Sequence, residues 1–131
     1  MAKRISRYQQ SEKVSSVRRG EFYLASFDPT VGHEIQKTRP ALIIQNDVGN
    51  QYSPLTIVAA VTSKVSGVLF PVEVVVEPTK GNGLEVRSAI RLDQIGTVDR
   101  QRLIKRLGSV GPAIMRKVVQ AIKISLGLVE F

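Results

Sequence analysis

The feature that most constrains this chain is a series of short, branched apolar segments set between turn residues, followed by one change of period at the end. Ala41 to Ile44 and Thr56 to Thr62 are continuous apolar runs rich in β-branched side chains. Runs of this kind suit strands covered on both faces. Glu21 to Phe27 alternates loosely and is stopped by Asp28-Pro29, because proline cannot continue a central ladder. Asn46-Asp47-Val48-Gly49-Asn50 reads as a turn, Val72 to Val76 as a strand and Lys80 to Gly83 as a loop. Ala89 to Ile95 and Leu107 to Val110 read as further strands. After Pro112, a residue suited to the first turn of a helix, Ile114, Val118, Ile122 and Leu126 recur at spacing four. Arg116, Lys117, Gln120 and Lys123 fall on the other side, so an amphipathic helix of about four turns is expected to lie on a sheet. Antiparallel strands and one closing helix predict a mainly β (α+β) fold, a small, partly open barrel with a terminal helix.

A chain of 131 residues holds one such domain with a real core, not two. Residues 1–17 are expected to be a basic, disordered leader, with the folded domain over residues 18–131. Nineteen Lys and Arg against eleven Asp and Glu leave a net charge of +8, which favours polyanionic partners. There is no cysteine, so disulfides, thiolate metal sites and cysteine nucleophiles are excluded. The one histidine, His33, excludes a multi-histidine metal site within the chain, and no metal or other cofactor is expected. No secretory signal and no bilayer-length apolar run are read, so a soluble, cytoplasmic protein is expected.

Three polar groupings remain as candidates for chemistry. The first is the long loop from Asp28 to Pro40, which carries His33, Glu34 and Arg39. Pro40 restrains Arg39 to extended geometry, so its guanidinium projects from a fixed backbone; the alternative is that Arg39 pairs with a carboxylate and His33 is merely exposed. The second is Arg91-Leu92-Asp93-Gln94, where Arg91 and Asp93 share a strand face and a surface ion pair is the alternative. The third is Thr62-Ser63-Lys64, ending a buried strand, where the alternative is turn chemistry.

Together these segments resemble the MazF/PemK toxin family. The likeness is carried in order by RRGEFYLASFDPTVGHE, TRPALIIQNDVGN, IVAAVTS, SAIRLDQIGTVDRQRL and the closing ISLGLVEF. It implies an SH3-like barrel of PemK/CcdB type with a C-terminal helix, a homodimer, cleavage of single-stranded RNA at short sequence motifs, and inhibition by a cognate antitoxin protein. In one branch of the family the arginine of the RP step and the threonine ending the next apolar strand are catalytic, which here are Arg39 and Thr62. In another branch the set is the histidine of GHE with the arginine and aspartate of RxDQ, here His33, Arg91 and Asp93. Both sets are retained, and Glu34, Ser63 and Gln94 are the candidate RNA contacts. Many relatives place a glycine just before the RP step; this chain has Ile35-Gln36-Lys37-Thr38, which is stiffer and adds a cation.

The implied reaction is attack of a 2′-OH on the adjacent phosphorus, giving a 2′,3′-cyclic phosphate and a 5′-OH, with DNA inert. A guanidinium holds its proton too tightly to serve as a base, so Arg39 is assigned to stabilising the phosphoryl oxygens, with Asp93 or His33 the candidate base. Two other functions compete. A CcdB-like gyrase-targeting toxin works through a C-terminal tryptophan, and this chain has no tryptophan. A non-catalytic nucleic-acid-binding module fits the charge and predicts binding without cleavage.

Overall fold

The computed structural model describes residues 16–27, 38–66 and 71–130. Six antiparallel strands form one sheet: β1 (Glu21–Ser26), β2 (Thr38–Ile43), β3 (Leu55–Thr62), β4 (Glu73–Val76), β5 (Ser88–Asp99) and β6 (Leu103–Ser109). Across the sheet they lie in the order β4-β5-β3-β2-β1-β6. A short helix α1 (Asp47–Tyr52) joins β2 to β3, and α2 (Pro112–Ser125) closes the described fold.

The branched runs become the central strands, as their composition requires. Pleating sends alternate side chains to opposite faces, and both faces are covered. On one side Phe22, Leu42, Val61, Ile90 and Leu92 pack with Val118 and Ala121 of α2. On the other, Tyr23, Ala41, Ile43 and Val58 pack with Val17 and Leu103. A sheet that buries both faces with a single long helix must curl around one of its own cores. Among the described residues no ladder joins the edge strands β4 and β6, so the expected barrel is not closed by strand pairing. The segment after β4 spans that seam instead: the Ser109 amide of β6 donates to the Gly81 carbonyl at 3.0 Å. The approach is so close that a β-carbon on Gly83, whose φ is +69°, would fall 2.0 Å from the Leu107 carbonyl oxygen. Only glycine satisfies both demands there.

Helix α2 begins with Pro112 in its first turn and stops at a Schellman motif. Gly127 takes φ +73°, and the amides of Gly127 and Leu128 donate to the Ile124 and Lys123 carbonyls at 3.1 and 2.7 Å. Val118 and Ala121 are its buried residues, with Ile114 and Ile122 packed beside them. Leu126, expected on the apolar stripe, is exposed because the helix has ended by then. Two other expectations need correction. Asn46 to Asn50 is not a simple turn but the start of α1, whose N-terminus is capped by the Asn46 side chain accepting from the Gly49 amide at 2.7 Å. Strand β5 runs on to Asp99, past the expected end at Ile95, because the register shifts between Ala59 and Ala60 and β3 pairs with both halves of β5.

Candidate functional site

The two ends of the β2–β3 pair differ in what their polar residues do. At the α1 end, Asn50 is buried and fully engaged. Its Oδ1 accepts from Thr56 Oγ1 at 2.7 Å and Gln45 Nε2 at 3.0 Å. Its Nδ2 donates to the Gln45 carbonyl at 3.0 Å and to Asp47 at 3.2 Å. Arg100 donates to the Asn50 carbonyl at 3.1 Å, tying in the end of β5. Asp47 also accepts from the Arg19 amide at 2.7 Å, and that bond, chief among its interactions, lowers its pKa below the usual carboxylate range.

At the other end β2 begins and β3 ends, and a cleft of about 600 Å³ opens there. Arg39 and Thr62 line it from these two strands, and Ser63 and Lys64 from just past β3. The β2–β3 ladder ends at Ala41 opposite Ala60, and Arg39 and Thr62, each two residues beyond that end on its own strand, both line the cleft. Arg39 is exposed, and among the described residues it has no ion-pair partner. The alternative in which a carboxylate neutralises it is therefore not what the described residues form. Thr62 does take part in turn chemistry: its Oγ1 accepts from the Lys64 amide at 3.1 Å. That bond fixes the hydroxyl oxygen while leaving its proton to be donated.

Arg91 and Asp93 lie outside the cleft lining. They form a bidentate pair on β5, Nε to Oδ1 at 3.0 Å and Nη2 to Oδ2 at 2.7 Å. The hydrogen bonds from Arg91 hold the Asp93 carboxyl below the usual carboxylate range, and Asp93 raises the guanidinium in turn. Thr62 pairs with Ala89 in the β3–β5 ladder, and Arg91 is two residues further on, so Arg91 shares the face of Thr62 as its diagonal neighbour. Ladder positions so related are about 7–8 Å apart. The structure thus brings Arg39, Thr62 and Ser63 together at one cleft and sets the Arg91–Asp93 pair beside it. Gln94 is exposed on β5 and does not line the cleft. His33 and Glu34 lie outside the described residues.

Two participants were not singled out by sequence reasoning. Glu73 of β4 stands opposite Arg91 in register, accepts from Ser66 at 2.9 Å through Oε1, and buries Oε2 with no hydrogen-bond partner among the described residues. Lys105 of β6 lines the cleft from the far side. Cross-strand register brings both to the site, and no local spacing in the chain signals either meeting.

With this geometry in place, the kinship of the chain is informative. Residues 18–126 match the family of PemK-like, MazF-like toxins of type II toxin–antitoxin systems. Endoribonuclease EndoA of Bacillus subtilis is 43% identical over 115 residues, covering 88% of this chain and 98% of that protein. Endoribonuclease MazF of Staphylococcus saprophyticus is 45% identical over 112 residues, covering 86% and 92%. A solved structure of an endoribonuclease in complex with its cognate antitoxin, from a mycobacterial species, superposes with a TM-score of 0.71 at 26% identity, covering 88% of this chain and 99% of that one. A family match across this span, with relatives of nearly the same length, settles the kinship: the chain belongs to the PemK-like, MazF-like toxin family of type II toxin–antitoxin systems.

Proposed function

We propose that this protein is an endoribonuclease toxin that cleaves single-stranded RNA by internal attack of a 2′-OH, with its reaction centre at the Arg39–Thr62 end of the sheet. The observation that carries the reading is that Arg39, with no ion-pair partner among the described residues, lines the same cleft as Thr62. The endoribonuclease names of the relatives supply the reaction class.

In the reaction the 2′-oxygen bonds to the adjacent phosphorus, the P–O5′ bond breaks, and the 5′-oxygen takes up a proton. A 2′,3′-cyclic phosphate and a 5′-hydroxyl result. Arg39 donates to the phosphoryl oxygens, where negative charge grows as the phosphorus becomes pentacoordinate. Thr62, which only accepts from the Lys64 amide, donates its hydroxyl hydrogen bond to the same phosphate. Asp93 is a weakened base because both its oxygens are held by Arg91, and its role becomes that of steadying the guanidinium. The base is then His33, since an imidazole exchanges protons near neutral pH.

On the same reading the protein acts in the cytoplasm as a homodimer restrained by a cognate antitoxin, and the curled sheet serves as a partly open SH3-like barrel. The solved relative carrying its antitoxin supports the partner, and among the described residues no helix is long and apolar enough to cross a membrane.

The test is incubation of the purified protein, in EDTA, with a long single-stranded RNA and a DNA of the same sequence, mapping new ends by primer extension. Discrete RNA cuts bearing 5′-hydroxyls, absent with DNA and with Arg39→Ala, are expected. Intact RNA from a folded protein free of antitoxin would sink the proposal and favour a binding module.

A further inference from the structure

The cleft carries more positive charge than one arginine explains. Lys64, just past β3, and Lys105, on β6, line it with Arg39, against one lining carboxylate among the described residues, Glu85. Both lysines are exposed, and among the described residues neither has an ion-pair partner. Three other cations on or next to the sheet behave differently. Arg106, the neighbour of Lys105 on β6, is bound to Glu21 at 2.5 Å, Arg87 to Glu77 at 2.9 Å, and Arg91 to Asp93 at 2.7 Å. Alternation along β6 sends Arg106 and Lys105 to opposite faces. The ladders put Arg39 on the face of Arg106 and Lys105 on the other, so Arg39 and Lys105 meet only at the rim of the sheet, where both line the cleft.

The ladders fix how these charges are spread. Lys105 pairs with Leu24, and Leu24 with Pro40, the neighbour of Arg39. Lys64 follows the end of β3, the next strand after β2. From β6 to β3 is three strand spacings, a span of about 14 Å at about 4.8 Å each. One phosphate does not reach across that distance; a run of successive phosphates does.

We propose that Lys64 and Lys105 bind the phosphates on either side of the one held by Arg39, so that the RNA backbone crosses this end of the sheet from β3 to β6. The inference rests on the ribonuclease reading and extends it, assigning a substrate track to residues outside the reacting group. A lysine suits this role because it offers a mobile point charge to a phosphate, without the fixed fork that Arg39 presents. Glu85, on the same cleft, opposes the polyanion.

The test is a salt series of binding by fluorescence anisotropy, using a mixed-sequence 2′-O-methyl RNA oligonucleotide, which has no nucleophile and is not cut. Full-length wild type is compared with Lys64→Ala, Lys105→Ala and Glu85→Gln, and with Lys123→Ala on exposed α2 as a control; melting curves check folding. Removing a cation that neutralises one phosphate of a single strand lowers the slope of log K against log salt by about 0.7. That drop is expected for Lys64→Ala and for Lys105→Ala, with none for Lys123→Ala, and Glu85→Gln is expected to bind more tightly. Wild-type slopes for both lysine variants would overturn the inference. So would an equal drop in all three lysine variants, which describes a diffuse field. If the lysines govern binding of an acidic peptide but leave RNA unaffected, they belong to a protein partner and the inference fails. Cleavage of unmodified RNA by wild type, measured alongside, separates the two readings: lysine-dependent slopes without cleavage sink the ribonuclease and keep the track, and cleavage with lysine-independent slopes does the reverse.

Discussion

The β2–β3 pair has two ends built from similar polar material and put to opposite uses. At the α1 end Asn50 satisfies both atoms of its amide and its carbonyl, drawing Gln45, Thr56, Asp47 and Arg100 into one network. At the other end Arg39, Lys64 and Lys105 stand around a cleft without carboxylate partners among the described residues. The first arrangement is stable because a buried polar group with all its bonds made costs little, and one bond lost costs the whole desolvation. The second gains nothing for the fold from its charges, which repel one another, and so points outward to an anion. Completeness of pairing among the described residues, rather than residue type, separates the scaffold end from the candidate site.

Substitutions at the two ends should therefore fail in different ways. The largest effect is expected from Arg39→Ala: a loss of RNA cleavage by about 100- to 1,000-fold, the scale of removing one preorganised donor from a transition state. Its melting temperature should stay near wild type, since exposed side chains outside a network contribute within about 0.5 kcal/mol. A variant that both loses activity and unfolds would blur the contrast. At the other end Asn50→Ala should destabilise the fold by about 2–4 kcal/mol, because Thr56 and Gln45 lose buried partners together. Urea denaturation measures this, and the fraction still folded at low temperature should cleave RNA at close to the wild-type rate.

A third prediction concerns alkaline pH. Tyr23 of β1 is buried, and burial, reinforced by the adjoining Glu21 carboxylate, raises its phenol from 10.0 to about 12. The folded value lies above the unfolded one, so the contribution is fully present below pH 10 and is lost as pH rises through about 12. Melting temperature should fall over that window, and Tyr23→Phe should remove this part of the fall. The smallest effect is expected at Asp93. Its folded pKa is depressed by Arg91, so its stabilisation is present above the ordinary carboxylate range and fades as acid drives the pH down through the folded value. The pair is partly exposed, with side-chain accessibilities of 23% and 34%, so Asp93→Asn should cost no more than about 1 kcal/mol. If it lowers cleavage with so little change in melting, Arg91 is being steadied for the reaction; if activity is unchanged, the pair is surface structure.

Much of this was legible in the chain itself. The branched runs Ala41 to Ile44 and Thr56 to Thr62 announce strands buried on both sides, and the four-residue spacing after Pro112 announces α2. Helix α1 was hidden because Asn46 to Asn50 satisfies turn chemistry equally well; what decides is Asn50 finding Thr56 across the bend, a meeting no local pattern carries. The same limit applies to the site. Arg39 and Thr62 stand out because a proline and a strand end frame them. Glu73 and Lys105 do not, since Glu73 reaches Arg91 only through the β4–β5 register and Lys105 reaches the cleft only through the β6–β1 ladder. The seam between β4 and β6 is likewise closed by backbone approach at Gly81 and Gly83, and the Gly-Asn-Gly sequence shows a loop there without showing what it touches.

The most direct test measures both ends in one preparation: single-turnover RNA cleavage and urea stability for wild type, Arg39→Ala and Asn50→Ala. Orthogonal losses are expected, with Arg39→Ala stable and inactive and Asn50→Ala unstable but active per folded molecule. Full cleavage by a folded Arg39→Ala protein would contradict this, because Arg39 would then not be the group that meets the scissile phosphate.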